Sequence, residues 1–83
     1  MSIEVTIFGF GDERPPAFQN ADRLELDLEL PATPMAVLLR SGFDDQEGLA
    51  LLINDRIVHA QDWQHAIVGP GDQVKVLSAI EGG

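Results

Sequence analysis

The sequence predicts a small α+β domain in which one short helix covers a mixed sheet of about five strands. Apolar and polar residues alternate over residues 3–7 and 24–30, which is the period of a half-buried strand. A single stretch, residues 34–41, carries helix start and stop signals. With 83 residues the chain has the length of one domain, and we expect residues 1–83 to form it, with residues 79–83 as an extended, flexible C-terminal tail.

The first strand is predicted at the N-terminus of the sequence. Ile3, Val5 and Ile7 fall on one face of this strand, so Phe8 should point away from the core. Residues 11–22 contain glycine, proline and asparagine without a sustained period, which predicts a loop.

The second strand is predicted from the cleanest alternation in the chain. Every second residue from Leu24 to Leu30 is leucine, and the residues between them are acidic. One face of this strand should therefore enter the core while the other is solvated.

The helix is predicted between two sequence signals. Thr33 is placed as an N-cap, Pro34 fits the first helical position, and Gly42 follows the end. Three apolar residues are predicted to share the face of this helix that packs on the core: Met35, Leu38 and Leu39.

The second half of the chain is predicted to contain three more strands. Residues 49–53 and 56–59 flank the turn Asn54-Asp55 and form a hairpin. Residues 60–67, which include Trp63, are predicted to form a short helical plug under the sheet.

The last strand is predicted after a turn. Pro70 and Gly71 fit the central positions of a type II turn. Val74 and Val76 then share the core face of a strand that reaches back to pair with the first one.

Composition excludes several classes of function. The sequence has no cysteine, so disulfides, thiolate metal sites and thiol nucleophiles are excluded. The net charge of −9 makes nucleic acid a poor partner and suits docking on a basic protein surface. No segment resembles a signal peptide or a membrane span, so we expect a cytoplasmic protein without a membrane partner.

Catalytic and metal sites are not indicated. His59 and His65 lack the spacing of a ligand set, and the acidic pair Asp44 and Asp45 lies in a loop that offers no desolvation to tune a carboxyl pKa. We therefore expect no bound metal, no intrinsic catalytic residue and a protein that is not itself an enzyme.

The terminal residues Gly82 and Gly83 are the strongest functional signal. Glycine has no Cβ, so this pair can enter a narrow channel and present the carboxylate of Gly83 to an activating enzyme. Extended chain spans about 3.3–3.6 Å per residue, so residues 79–83 could reach roughly 17 Å beyond the sheet.

The strand order, the NDRIV hairpin and the ending GPGDQVKVLSAIEGG together resemble the ThiS/MoaD family of ubiquitin-like sulfur carriers. The resemblance implies the ubiquitin-like β-grasp fold. It also implies that a ubiquitin-activating-type adenylating enzyme uses ATP on the carboxylate of Gly83, which becomes a thiocarboxylate. Ile80, Glu81 and Gly82 would form the tail that enters the partner, and the protein itself would bind no cofactor.

The same resemblance implies partners and a docking face. A sulfur donor protein would load Gly83, and either the large subunit of molybdopterin synthase or a thiazole synthase would accept the sulfur. Phe8, Ile57 and Leu77 would form the apolar docking face. The loop at residues 11–22 is more similar to the molybdopterin branch, residues 60–67 are more similar to the thiamine branch, and the molybdopterin branch is slightly favoured.

Two other classes of function are compatible with the sequence. A ubiquitin-like modifier would be joined through Gly83 to lysines of target proteins. A passive interaction module would have an incidental tail.

Overall fold

The computed structural model describes residues 2–78, which form five strands, one α-helix and two short 3-10 helices. The strands and the α-helix are, in chain order, β1 (Ser2–Phe8), β2 (Arg23–Asp27), α1 (Pro34–Arg40), β3 (Leu49–Ile53), β4 (Arg56–Val58) and β5 (Gln73–Ser78). The predictions for Ile80, Glu81, Gly82 and Gly83 lie outside the described residues.

The five strands form one mixed sheet in the order β2-β1-β5-β3-β4. β1 and β5 pair in parallel, and the other neighbours are antiparallel. Buried side chains of α1 and of the strands form a single core cluster, so the helix covers one face of the sheet. The predicted α+β class, the mixed five-stranded sheet and the return of the last strand to the first are confirmed.

The core is centred on the pairing of β1 with β5. Val5 lies opposite Val74 and Ile7 opposite Val76, and all four side chains are buried. The alternation in β1 and β5 is therefore the alternation of an inward and an outward face. Phe8 is outward, with 47% of its surface exposed, as predicted.

β2 is shorter than the alternation predicts. It ends at Asp27, which lies opposite Ser2, the first described residue of β1. Leu28 and Leu30 follow outside the strand and pack, partly buried, against the core. The four alternating leucines indicate that this whole stretch packs against the core. A strand also needs a neighbouring backbone to pair with, and the pairing with β1 ends at Asp27.

The helix signals are confirmed and one core residue is corrected. The Oγ1 of Thr33 accepts a hydrogen bond from the Ala36 N–H at 3.2 Å, and Gly42 follows the helix with φ +99°. Leu39, predicted to face the core, is 50% exposed, because the buried face is formed by Pro34, Val37 and Leu38. Val37 and Leu38 follow Pro34 by three and four residues, so all three share one face of the helix. Leu39 lies about 100° further around the helix than Leu38.

The segment predicted as a loop, residues 11–22, is more structured than expected. A 3-10 helix at Pro16–Phe18 carries Phe18 into the core, where it is fully buried. Phe18 packs against Phe43, with ring centroids 6.0 Å apart. The sequence prediction failed here because a single buried aromatic residue has no period to reveal it.

Arg14 holds this loop in place. Its guanidinium donates to the carbonyl oxygens of Gly11 at 2.8 Å and Phe18 at 3.1 Å. It also forms an ion pair with the carboxylate of Asp22, with 2.6 Å between Arg14 Nη1 and Asp22 Oδ1. One side chain therefore fixes the start, the middle and the end of the loop.

The predicted hairpin turn is linked to the turn before β5. Asn54 and Asp55 have φ of 52° and 68°, which is typical of a type I′ hairpin. The Asn54 side-chain amide donates to Asp72 Oδ1 at 2.8 Å, and Asp72 Oδ2 accepts from the Gly69 N–H at 2.8 Å. Gly71, with φ +85°, completes the turn predicted at Pro70-Gly71.

The predicted plug is confirmed as a 3-10 helix at Ala60–Asp62 followed by buried Trp63. The Trp63 indole N–H donates to the Val58 carbonyl at 2.8 Å, and the Trp63 carbonyl accepts from the Met35 N–H at 2.9 Å. Trp63 therefore joins the hairpin to the start of α1.

Over residues 2–78, no helix has the length and apolar character that crossing a membrane requires.

Two phenylalanines provide a matched test of the core. Phe18→Ala should lower the free energy of unfolding by about 3–5 kcal/mol, because it leaves a cavity at a fully buried site. Phe8→Ala, at a position that is 47% exposed, should cost about 1 kcal/mol or less. Urea denaturation of the two variants measures both values, and equal losses would contradict the assignment of Phe18 to the core.

The link between Asn54 and Asp72 should make stability depend on pH. The hydrogen bonds from the Gly69 N–H and from Asn54 lower the pKa of Asp72. Its folded pKa therefore lies below the unfolded value of about 3.9, so the stabilisation is complete above that pH and is lost as the pH falls through the folded pKa. Asp72→Ala should cost about 1 kcal/mol at neutral pH.

Denaturation at a series of pH values checks this prediction. The difference between the wild type and Asp72→Ala should shrink as the solution becomes acidic. Asp44→Ala removes an exposed loop carboxylate and serves as the control, with no such pH-dependent difference. A difference for Asp72→Ala that stays constant at all pH values would refute the role of its carboxylate.

Candidate functional site

The face of the sheet opposite α1 carries a continuous group of apolar side chains. Phe8 lies beside Leu77 in the register of β1 with β5, and Leu77 lies beside Ala50 in the register of β5 with β3. One step along, Leu52 of β3 lies beside Ile57 of β4. We call this group the apolar patch: Phe8, Ala50, Leu52, Ile57 and Leu77.

The patch follows from the period of two in each strand. Ile7, Leu51 and Val76 are buried against the helix, so the residues that alternate with them must point to the opposite face. An outward position in a strand is usually polar when it faces only water. Here four strands contribute apolar residues to the same outward region.

Much of the patch is open to solvent. Phe8 is 47% and Ile57 is 60% exposed, while Ala50, Leu52 and Leu77 are half-buried. Contiguous exposed apolar surface is typical of a protein-docking site. The patch can therefore bind a partner without any rearrangement of the core.

Lys75 lies within the same face, between Thr6 and Leu52 in the register. Its Nζ is 2.6 Å from Asp55 Oδ1, and 35% of the lysine side chain is exposed. The Asp55 carboxylate compensates the ammonium charge, so the middle of the face is close to neutral.

The patch adjoins the C-terminal end of β5. This strand ends at Ser78, one residue after Leu77, and Ser78 lies beside Leu49 at the start of β3. Residues 79–83 follow directly in the sequence. A partner docked on the patch is therefore within reach of the five residues that end at Gly83, which span about 17 Å when extended.

The structure brings together the three residues predicted to form a docking face. Phe8, Ile57 and Leu77 all belong to the patch. Ala50 and Leu52 were not predicted, although the run Leu49–Ile53 contains the signal. In a continuous apolar strand, every second residue must leave the core, and those residues are candidates for a docking face.

The titratable residues form no comparable site. His59 and His65 are both exposed. Across residues 2–78, no group of histidine, aspartate and glutamate side chains is arranged to hold a metal ion. The pKa of Asp72 is lowered by hydrogen bonds from the Gly69 N–H and the Asn54 side chain, which lie in two adjoining turns.

Solved structures resemble this fold over the whole chain. The thiamine biosynthesis protein ThiS of Geobacter metallireducens has a TM-score of 0.65 at 17% identity, with 100% of both chains covered. SAMP1 of Haloferax volcanii has a TM-score of 0.66 at 14% identity, again covering 100% of both chains. The HVO 2177 protein of the same organism has a TM-score of 0.74 at 21% identity, covering 100% of this chain and 87% of that one.

At these identities the likeness concerns the fold alone, which is the ubiquitin-like β-grasp that the sequence resemblance implied. Among curated proteins, none matches the chain. The model of the ThiS family, in contrast, matches residues 15–83, which include β2 to β5, the helix and both terminal glycines. Because this match covers most of the chain, the protein belongs to the ThiS family of ubiquitin-like sulfur carriers.

Proposed function

We propose that the carboxylate of Gly83 is the group on which this protein carries sulfur for cofactor biosynthesis. The observation that supports this most directly is the family match, which extends through Gly82 and Gly83. The position of the apolar patch beside Ser78 adds independent support, because it puts a docking surface next to the start of the tail.

The proposed chemistry needs only a carboxylate from this chain. A ubiquitin-activating-type adenylating enzyme brings ATP, and the Gly83 carboxylate attacks its α-phosphate with loss of pyrophosphate. A sulfur donor protein then supplies hydrosulfide, whose sulfur attacks the carbonyl carbon of Gly83. AMP leaves with the former carboxylate oxygen, and a thiocarboxylate results. In this proposal the protein is a co-substrate of its partner enzymes, works in the cytoplasm where ATP is available, and binds no cofactor itself.

The tail and the patch divide the work between reaction and recognition. Gly82 and Gly83 lack side chains and can pass through a narrow channel, while Ile80 and Glu81 would line its entrance. Phe8, Ile57 and Leu77 would dock on the partner enzyme and so hold the tail at the channel. Binding energy from the docking face would thus be used to position the reacting carboxylate.

Two acceptors of the sulfur are proposed. The large subunit of molybdopterin synthase is favoured by the length of the loop at residues 11–22, the sequence feature that is more similar to the molybdopterin branch. A thiazole synthase is favoured by the family description and by the likeness to a ThiS protein of thiamine biosynthesis. Incubation of the sulfur-loaded protein with each of the two enzymes distinguishes them, because only the true acceptor removes the sulfur and forms its own product.

Deletion of Gly82 and Gly83 should abolish sulfur loading. The wild type, incubated with an adenylating enzyme, ATP and a sulfur donor, should gain the mass difference between sulfur and oxygen in an intact-mass measurement. The deletion variant should gain none, because the activated carboxylate is misplaced, and its unfolding midpoint should match that of the wild type.

Two further measurements, of cellular activity and of adducts in cell lysate, identify the other classes of function. A deletion variant that keeps its cellular activity would indicate a passive interaction module. Adducts in cell lysate that survive thiol treatment and contain an isopeptide bond from Gly83 to lysine would indicate a ubiquitin-like modifier.

Phe8→Ala should weaken docking without changing the reaction at Gly83. We expect the KM for this protein in the adenylation reaction to rise about tenfold, with kcat little changed, because the truncation removes an aromatic anchor worth about 1–2 kcal/mol. Pyrophosphate release at varied protein concentration measures both constants.

Leu39→Ala is the matched control. Leu39 is 50% exposed, close to the 47% of Phe8, but it lies on α1, on the other side of the molecule from the patch. Its KM should remain at the wild-type value. Equal effects of the two substitutions would show that the patch is not the docking face.

A further inference from the structure

The outward face of the sheet has two chemically different halves. The apolar patch occupies the end near Ser78. At the other end, Glu4 of β1 lies beside Gln73 of β5 and opposite Glu25 of β2. Glu4 and Glu25, together with Asp27 at the next outward position of β2, are called the acidic flank.

The two glutamates of the flank are placed where they repel each other. The Ile7 N–H donates to the Asp22 carbonyl at 2.8 Å, so in an antiparallel ladder the Glu4 and Glu25 pair is one of the non-hydrogen-bonded pairs. Side chains of such pairs are the closest across the two strands, and like charges directly opposite each other are destabilising. Two like charges therefore face each other across neighbouring strands on the outward face of the sheet.

Neighbouring groups compensate this repulsion only partly. Glu4 Oε2 is 3.6 Å from Arg23 Nε, and the arginine side chain is 70% exposed. Glu25 Oε1 accepts a hydrogen bond from the Ser2 hydroxyl at 2.8 Å. An exposed ion pair of this kind contributes little, so Glu4 and Glu25 keep the flank acidic.

We propose that the apolar patch and the acidic flank form one two-part docking surface, and that the enzyme docking there has an apolar centre bordered on one side by arginine or lysine. The proposal rests on the proposed function, which makes that enzyme the adenylating partner of Gly83. Cations of the partner would relieve the repulsion between Glu4 and Glu25, and complementary charges would raise the rate of encounter.

The order of the two parts along β5 fixes the orientation of the docked partner. Gln73, beside the flank, and Leu77, in the patch, are four residues apart, which corresponds to about 13 Å of strand. β5 ends at Ser78, at the apolar end of the face, and residues 79–83 follow it in the sequence. The proposal therefore puts the basic border of the partner on the side of its apolar centre that is away from the site where Gly83 reacts.

Charge also selects the kind of occupant. The chain has a net charge of −9, so a second copy would bring like charge to the flank. Phosphate groups of nucleic acid would be repelled in the same way. A basic protein surface is the occupant that both halves of the face fit.

Neutralising the flank provides the test. Glu4→Gln with Glu25→Gln keeps the side-chain size and one accepting oxygen on each side chain, so the unfolding midpoint should be no lower than that of the wild type. With the adenylating enzyme that activates the wild type, we expect KM at low salt to rise about five- to tenfold, with kcat unchanged. At about 0.5 M salt, where charges are strongly screened, the difference should nearly disappear.

The matched control is Asp44→Asn with Asp45→Asn, which changes the net charge equally in a loop outside the sheet. Its KM should stay at the wild-type value at each salt concentration. A flank variant with the wild-type KM and salt dependence, or a control pair with the same increase, overturns the two-part surface. If no adenylating enzyme releases pyrophosphate from ATP in the presence of the wild-type protein, the proposed function is overturned instead, and with it the partner named here.

Discussion

The parallel pairing of β1 with β5 is the constraint on which the rest of the structure depends. It brings the first and the last strand together in the middle of the sheet. It also buries four side chains against the helix: Val5, Ile7, Val74 and Val76. A parallel pair needs a crossover connection, and the residues between these strands supply α1 and the β3–β4 hairpin. The core and the exit of the tail are therefore set by one pairing.

The same pairing creates the functional face as a by-product of the core. Once Val76 points to the helix, Leu77 must point away, and the register places it beside Phe8. Ser78 is the single residue between Leu77 and residues 79–83. In the proposed function, this proximity lets contacts made by the sheet position the carboxylate of Gly83, which the sheet does not contain.

The acidic character of the chain is also organised by the sheet. Acidic residues are scattered along the sequence, but pairing of β1 with β2 brings Glu4 and Glu25 opposite each other. Lys75 and Asp55, distant in the sequence, neutralise each other in the middle of the face. Net charge alone suits docking on a basic protein surface, whereas the proposed two-part surface specifies where on the partner the basic residues would lie.

The sequence by itself determined the elements whose signals are local. The period of two in β1 and β5, the Thr33 cap and the Asn54-Asp55 turn are read from neighbouring residues and are confirmed by the structure. The terminal glycines are read in the same way and lie outside the described residues. The sequence did not determine the end of β2, the burial of Phe18 or the exposure of Leu39, because each depends on which distant residues pack beside it. The tertiary structure alone decided that Ala50 and Leu52 join Phe8, Ile57 and Leu77, since a surface shared by four strands exists only when their register is set.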